Sequence, residues 1–265
     1  MMKMLLTTCD KTRKIIPAQQ WLLDKYIKYP FDYKYIDLKS ENVKTWSTNI
    51  LEKINHIKDE FVGFGLDDYL PICKFDAEIF DYMIDLMKKD PNIVRYEIGH
   101  SLANHTVIKK EEDFVVKEIS QNADYRMSCQ ISIWRTDYLL DKLSNICSPW
   151  RFETKSSQLA KNDGKRMILT DNRWALRWIR HSALSGKWSN NINVLGLRLD
   201  DIKAMIDNHL LNEKNLQYGP FRDNVLYFND IGYKFNFKDL KKGKSNKAYN
   251  DLHRLFSFNY IDIIN

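Results

Sequence analysis

The chain has 265 residues, 44% hydrophobic and 13% aromatic, with 41 Lys and Arg against 35 Asp and Glu for a formal charge of +6. This apolar content supports a packed core and excludes a disordered chain, and the length suits one α/β domain, or one domain with a small C-terminal appendage. The mild basic surplus fits either an ordinary surface or a groove for a polyanion such as DNA, a phosphate-rich glycan or a membrane surface.

In chain order, the apolar part of the N-terminus is too short for a signal peptide, and residues 4–8 read as a buried strand opening into a binding loop. Residues 18–26, with Trp21, Leu22 and Leu23, have helical spacing, and 33–38 alternate as a second strand. Trp46, Ile50, Ile54 and Ile57 predict a helix with one face on a sheet. Residues 60–66 form a third apolar run that ends at Asp67-Asp68, and 76–87 form an amphipathic helix with Ile79, Phe80, Met83 and Met87 inward. Alternating strands and helices are the signature of a doubly wound α/β half, where ligands bind outside the carboxyl ends of the strands.

Further strands are expected at 93–98, 114–119, 127–133, 167–170 and 174–179, and helices at 136–143 and 200–211. Trp134, Trp174 and Trp178 lie in strongly patterned segments and are expected in the core. From Gln217 the chain turns aromatic and irregular, with a basic stretch over 238–247. The expected division is a core over 1–190 and a helical, aromatic, basic C-terminal extension over 191–265, packed on that core. No run approaches the ~20 apolar residues of a membrane helix. Cys9, Cys73, Cys129 and Cys147 form no C-x-x-C pair and sit among apolar neighbours, which predicts reduced thiols, a cytoplasmic protein and no zinc site.

Asp67-Asp68 is the most informative feature. Two carboxylates at the end of a buried strand repel each other and are costly to desolvate unless a cation joins them. A hard divalent ion that also touches a diphosphate removes that cost. An Asp pair capping the following turn and helix is the alternative from position alone. Gly63-Phe64-Gly65 just before it lacks the third glycine and the helix of a dinucleotide fingerprint.

The string FVGFGLDDYLPI over 61–72 resembles the hydrophobic strand and acidic motif of GT-A glycosyltransferases, and in particular a group of small enzymes from large DNA viruses, phages and bacteria. Three further segments and one leading dipeptide fit that group in order: Trp46-Ser47, YRMSCQISIWRTDYLL over 125–140, SPWRFE over 148–153 and GKW over 186–188. The resemblance covers about residues 4–190 and implies a GT-A-like, Rossmann-type mixed sheet flanked by helices. It implies that Thr7, Thr8, Cys9, Asp10, Arg13, Trp46, Tyr69 and Lys187 bind a UDP-sugar donor, and that Asp68, with Asp67 beside it, binds Mn2+ or Mg2+. The motif here reads Asp-Asp-Tyr where the family commonly has Asp-x-Asp, so Tyr69 either contacts the sugar or packs.

The same resemblance places Glu153 on the acceptor side as the general base of an inverting transfer, with its basicity raised by packing against Trp150 and Phe152. Asp124 and Asp137 are fallback bases, and His181 is a candidate late metal ligand. Without the family, Glu153 reads as a charge at a helix N-terminus. Trp150, Arg173, Arg177, Arg180, Lys241 and Lys242 are candidate contacts to a phosphate backbone. A composition rich in Lys, Ile, Asn, Asp and Tyr, with nine Gly and six Pro, suggests an AT-rich genome such as a phage's. The acceptor expected from these features is 5-hydroxymethylcytosine in phage DNA, with a lipopolysaccharide, capsid-protein or other glycan as its rival. A non-catalytic DNA-binding module and a nucleotidyltransferase or sugar-nucleotide hydrolase are the readings from other classes.

Overall fold

The computed structural model describes residues 1–10, 12–39, 44–67, 69–71, 74–98, 103–144, 148–170, 178–179, 192–193, 199–211 and 216–217. Strand β1 (Met2–Cys9) leads through a 3-10 turn (Arg13–Ile15) into helix α1 (Ile16–Tyr26) and strand β2 (Phe31–Leu38). Helix α2 (Trp46–Ile54), strand β3 (Phe61–Leu66), the short strand β4 (Leu70–Pro71), helix α3 (Ala77–Lys89) and strand β5 (Ile93–Glu97) follow. A hairpin of β6 (His105–Lys110) and β7 (Val115–Ile119) precedes β8 (Ser132–Arg135) and helix α4 (Thr136–Ser144). Then come α5 (Pro149–Arg151), a π-helical turn (Phe152–Ser156), α6 (Ser157–Leu159) and β9 (Arg166–Thr170). The chain continues with β10 (Trp178–Ile179), β11 (Ile192–Asn193), α7 (Leu199–Asp207) and β12 (Leu216–Gln217).

Eight strands form one sheet in the order β2-β1-β3-β8-β5-β9-β7-β6. β2, β1, β3, β5 and β9 run parallel, while β8 and β7 run against them. One apolar layer under α1 and α3 holds Leu6, Leu22, Leu23, Phe80, Met83 and Tyr96. The other, under α2 and α4, holds Leu5, Ile50, Phe64, Trp134, Leu139 and Phe152. This is an α/β mixed sheet flanked by helices, as the GT-A resemblance implies.

Local sequence explains the elements that frame the site. The whole of β3 is apolar or glycine because both faces of it are covered, as in parallel sheets. Asp76 caps α3 by accepting from the Ile79 amide at 3.0 Å, and the inward stripe runs from Ile79 to Met87 at helical spacing. Ser148 caps α5 through the Arg151 amide at 3.2 Å, with Pro149 in the first turn.

The structure departs from the sequence reading in three places. Residues 127–131 are not strand: Met127, Cys129 and Ile131 are buried, but the Met127 and Cys129 amides donate to the side chains of Ser157 and Glu153, and the ladder begins at Ser132. β6 was not expected because it is largely exposed on both faces and lacks the alternation that marks a half-buried strand. The helical segment 149–159, whose start reads in sequence as a plain helix N-terminus at Glu153, is interrupted by the π turn that carries this residue. Trp134 is fully buried as expected; Trp174 and the side chain of Trp178 lie outside the described residues. No helix among the described residues is long and apolar enough to cross a membrane.

Candidate active site

The carboxyl ends of β1, β3, β5 and β9 and the loop entering β8 open onto one edge of the sheet. Thr7 and Thr8 are buried at the end of β1, and Thr8 Oγ1 has no hydrogen-bond partner among the described residues. Cys9 and Thr12 close the next turn, with the Thr12 amide donating to Cys9 O at 3.0 Å and the Cys9 amide to Thr12 Oγ1 at 3.2 Å. Asp10 is exposed within that turn. Arg13 is paired with Asp37 at the end of β2, and this hydrogen-bonded carboxylate raises the guanidinium's pKa. A donor phosphate would have to compete for Arg13 with Asp37.

Beside β1, the Asp67 amide donates to Thr7 O at 3.0 Å and extends the β1–β3 ladder into the acidic corner. Asp67 is 4% exposed, and Tyr69, 6% exposed, packs in the core. The amide of Gln19 on α1 binds both main-chain carbonyls, donating from Nε2 to Asp67 O at 2.9 Å and to Tyr69 O at 2.8 Å. Gln19 Oε1 accepts from Tyr35 OH at 2.8 Å, which fixes the orientation of the amide. Burial, with the charge of Asp67 nearby, pushes the Tyr35 phenol far above its ordinary range, so it stays a neutral donor. Asp68 lies outside the described residues.

Gly65 lets the β8 approach close on this corner. A Cβ there would stand 2.5 Å from Ile131 Cγ1 and 2.9 Å from Ile131 Cα. The loop is held from the other side by the Ile98 amide, which donates to Ile131 O at 3.1 Å. Underneath it lies fully buried Arg95, which donates to Ser132 Oγ at 3.0 Å, Arg126 O at 2.8 Å and Ser128 Oγ at 2.7 Å. Its charge is balanced by buried Glu97 at 3.2 Å. Arg126, also buried, donates to Ile119 O at 2.9 Å and to Ser120 O at 3.1 Å, and desolvation lowers its pKa.

Glu153 meets this loop directly: Oε1 accepts from the Cys129 amide at 2.9 Å. Ser157 Oγ adds a bond from the Met127 amide at 2.9 Å, so the π turn and α6 grip both ends of the 127–129 stretch. Below Glu153, Phe152 packs edge-on against Trp46 at 5.8 Å and Trp134 at 6.2 Å between ring centroids.

The structure thus brings Thr7, Thr8, Asp67 and Glu153 to one edge, and it changes the part several expected residues play. Trp46 is 5% exposed and packs behind the site, supporting Phe64 and Phe152. Trp150 is 65% exposed, and the Cys129 amide is one contact that holds the Glu153 carboxylate. Asp124 forms a surface ion pair with Lys161 at 3.4 Å. Asp137 sits in the first turn of α4, at the opposite edge of the sheet, because β8 runs antiparallel. Arg173, Arg177, Arg180, His181, Lys187, Lys241 and Lys242 lie outside the described residues.

Gln19, Arg95 and Glu97 were missed from sequence. The signals were there: Gln19 is a polar residue inside the inward stripe Ala18–Leu22–Leu23–Tyr26, and Arg95 and Glu97 stand two apart in an apolar strand, hence on one face.

No group of three or more His, Cys, Asp and Glu that could hold a metal ion occurs among the described residues. The hard oxygen donor described at the corner is Asp67; Asp68 adjoins it in sequence, and with a diphosphate the pair has the ligand chemistry of Mg2+ or Mn2+.

No family model matches the chain, and no curated protein matches it. Among solved structures, S. aureus TarS 1-349 is similar with a TM-score of 0.42 and 15% identity over 67% of this chain and 59% of that chain. The same protein in complex with UDP-GlcNAc gives 0.43 and 14% over 72% and 63%. UDP-glucose pyrophosphorylase complexed with UDP-glucose gives 0.35 and 16% over 68% and 75%. The chain spans about three fifths of the length of the TarS chains.

Proposed function

We propose that this chain is a metal-dependent glycosyltransferase that moves a sugar from a UDP-sugar to an acceptor hydroxyl. The observation that supports it most is the convergence, at the carboxyl edge of a mixed sheet, of the Thr7–Thr8 strand end, the Asp67 corner and the loop-anchored Glu153. In this reading Thr7, Thr8, Cys9 and Asp10 flank the nucleoside. Asp68 holds Mn2+ or Mg2+ and inward-facing Asp67 supports it; the ion, when bound, neutralises charge on the departing diphosphate. Glu153, oriented by the Cys129 amide, takes the proton of the acceptor hydroxyl as it attacks the anomeric carbon, and UDP leaves from the opposite face with inversion.

The acceptor proposed from sequence is 5-hydroxymethylcytosine in DNA, read from basic residues interleaved with aromatics beyond residue 170. The test incubates the protein with Mn2+ or Mg2+, a panel of UDP-sugars, and duplex DNA with or without hydroxymethylcytosine, and weighs the nucleosides by mass spectrometry. A mass gain confined to hydroxymethylcytosine supports the DNA acceptor. UDP release that only glycans stimulate removes the DNA acceptor and keeps the transferase. Sugar phosphate or pyrophosphate release without any acceptor replaces transfer by hydrolysis or nucleotidyl transfer.

A further inference from the structure

We propose that Gln19 is a positioning residue for the donor site: its side-chain amide fixes the main-chain carbonyls of Asp67 and Tyr69, and so the course of the chain on either side of the acidic corner. The inference rests on the donor-site reading above.

The geometry allows one arrangement. Gln19 is fully buried, and its Nε2 has two hydrogens, matched to the two carbonyls of Asp67 and Tyr69 at 2.9 and 2.8 Å. A flipped amide would turn Oε1 onto those carbonyls, acceptor against acceptor, while Tyr35 OH lost its own acceptor. Asp67 and Tyr69 are therefore both gripped by one side chain on α1, and the Asp67 amide is tied to Thr7 O on β1. An ordinary strand end leaves such carbonyls to water, which would not hold them in one direction. A site in which a carboxylate must meet a cation at a fixed distance gains from that restraint, because a misplaced ligand weakens both metal and diphosphate binding.

The test compares the wild-type chain with Gln19→Met, which keeps the length but removes both donors, and with Leu22→Ala, which weakens packing of the same helix without touching the corner. UDP binding is titrated by calorimetry with Mn2+ and with EDTA, and hydrogen exchange is followed in peptides covering residues 66–70. The inference expects Gln19→Met to exchange faster at 66–70 and to bind UDP with Mn2+ at least tenfold more weakly, while Leu22→Ala, with a comparable loss of Tm, stays within twofold of wild type. UDP affinity of Gln19→Met within twofold of wild type overturns it. Unchanged exchange at 66–70, or an equal loss of affinity in Leu22→Ala, also overturns it. If the wild-type chain binds no UDP, the donor-site reading fails, and exchange alone decides: faster exchange in Gln19→Met keeps Gln19 as the restraint on the corner, and unchanged exchange overturns it.

Discussion

The backbone amide of Cys129 donates to Glu153 Oε1 at 2.9 Å, joining the loop before β8 to the π-helical turn that carries the carboxylate. A glutamine at 153 keeps an oxygen for that amide, so Glu153→Gln is expected to fold with an unchanged melting temperature while turnover falls about 10²–10⁴-fold, the usual share of a general base. Glu153→Ala strands a part-buried amide and is expected to cost about 1–3 kcal/mol as well. Thermal melts beside UDP-release assays separate the two effects. Wild-type turnover in Glu153→Gln would remove the base assignment.

The acidic corner makes a matching prediction for the donor. Asp68→Asn is expected to abolish the difference in UDP affinity between Mn2+ and EDTA buffers. Asp67→Asn, at a position with 4% exposure beside Tyr35, is expected to lower stability and to weaken UDP less. Isothermal titration in both buffers reads this, and full Mn2+-dependent affinity in Asp68→Asn would count against the metal site.

Arg95 and Glu97 are both fully buried, so removing one partner leaves an uncompensated charge. Arg95→Leu is expected to cost about 3–5 kcal/mol, as when one half of a buried pair is deleted. Arg95→Leu combined with Glu97→Leu should recover part of that loss, and urea denaturation of each single variant and of the double measures the coupling. A loss below 1 kcal/mol in Arg95→Leu would show that the loop before β8 does not depend on it.

The two glycines of β3 should behave differently on substitution. In Gly65→Ala the new methyl meets the Ile131 backbone, which cannot move without displacing the loop; a loss of about 1–3 kcal/mol is expected, with weaker catalysis. In Gly63→Ala the nearest atoms, at 2.4 and 2.7 Å, belong to the flexible end of Met4, and a smaller loss is expected. Melting temperatures and turnover of the two variants decide it, and equal effects would contradict the geometry.

Acid stability offers a test remote from the site. Asp90 Oδ1 accepts from the Asn92 amide at 2.8 Å and Oδ2 from Arg166 at 2.7 Å, and these bonds hold its carboxyl below the ordinary value. A carboxylate with a depressed folded pKa adds stability above its unfolded pKa of about 4, and that increment fades as pH falls through the folded value. Wild type should therefore exceed Asp90→Asn in Tm at neutral pH, with the gap closing below about pH 4. A gap independent of pH would refute it.

Sequence periodicity located the parallel strands and their helices because each has a stripe or run that must be buried. It did not find β6, whose side chains face water, nor the 127–131 loop, whose buried alternation mimics a strand while the side chains of Ser157 and Glu153 accept from its Met127 and Cys129 amides in place of a ladder. The site was legible where chemistry is concentrated in one dipeptide, Asp67-Asp68, and in the strand end before it. Gln19 and Arg95 were hidden because each acts on residues 31 to 50 positions away, a distance that only the fold closes.

Helix α7 has a consequence for how the C-terminal part of the chain can be studied. Its buried Asp201 binds Lys25 and Tyr26 at the end of α1, and Met205 and Leu211 pack into the same apolar layer. The helix that clasps the acidic corner through Gln19 is thus roofed at its far end by a segment more than 170 residues downstream. Cutting at residue 190 would bare that end and loosen the donor side, so a lost acceptor affinity would be mistaken for a lost acceptor contact. A cut after Leu211 retains the roof and lets the remaining tail be judged by itself.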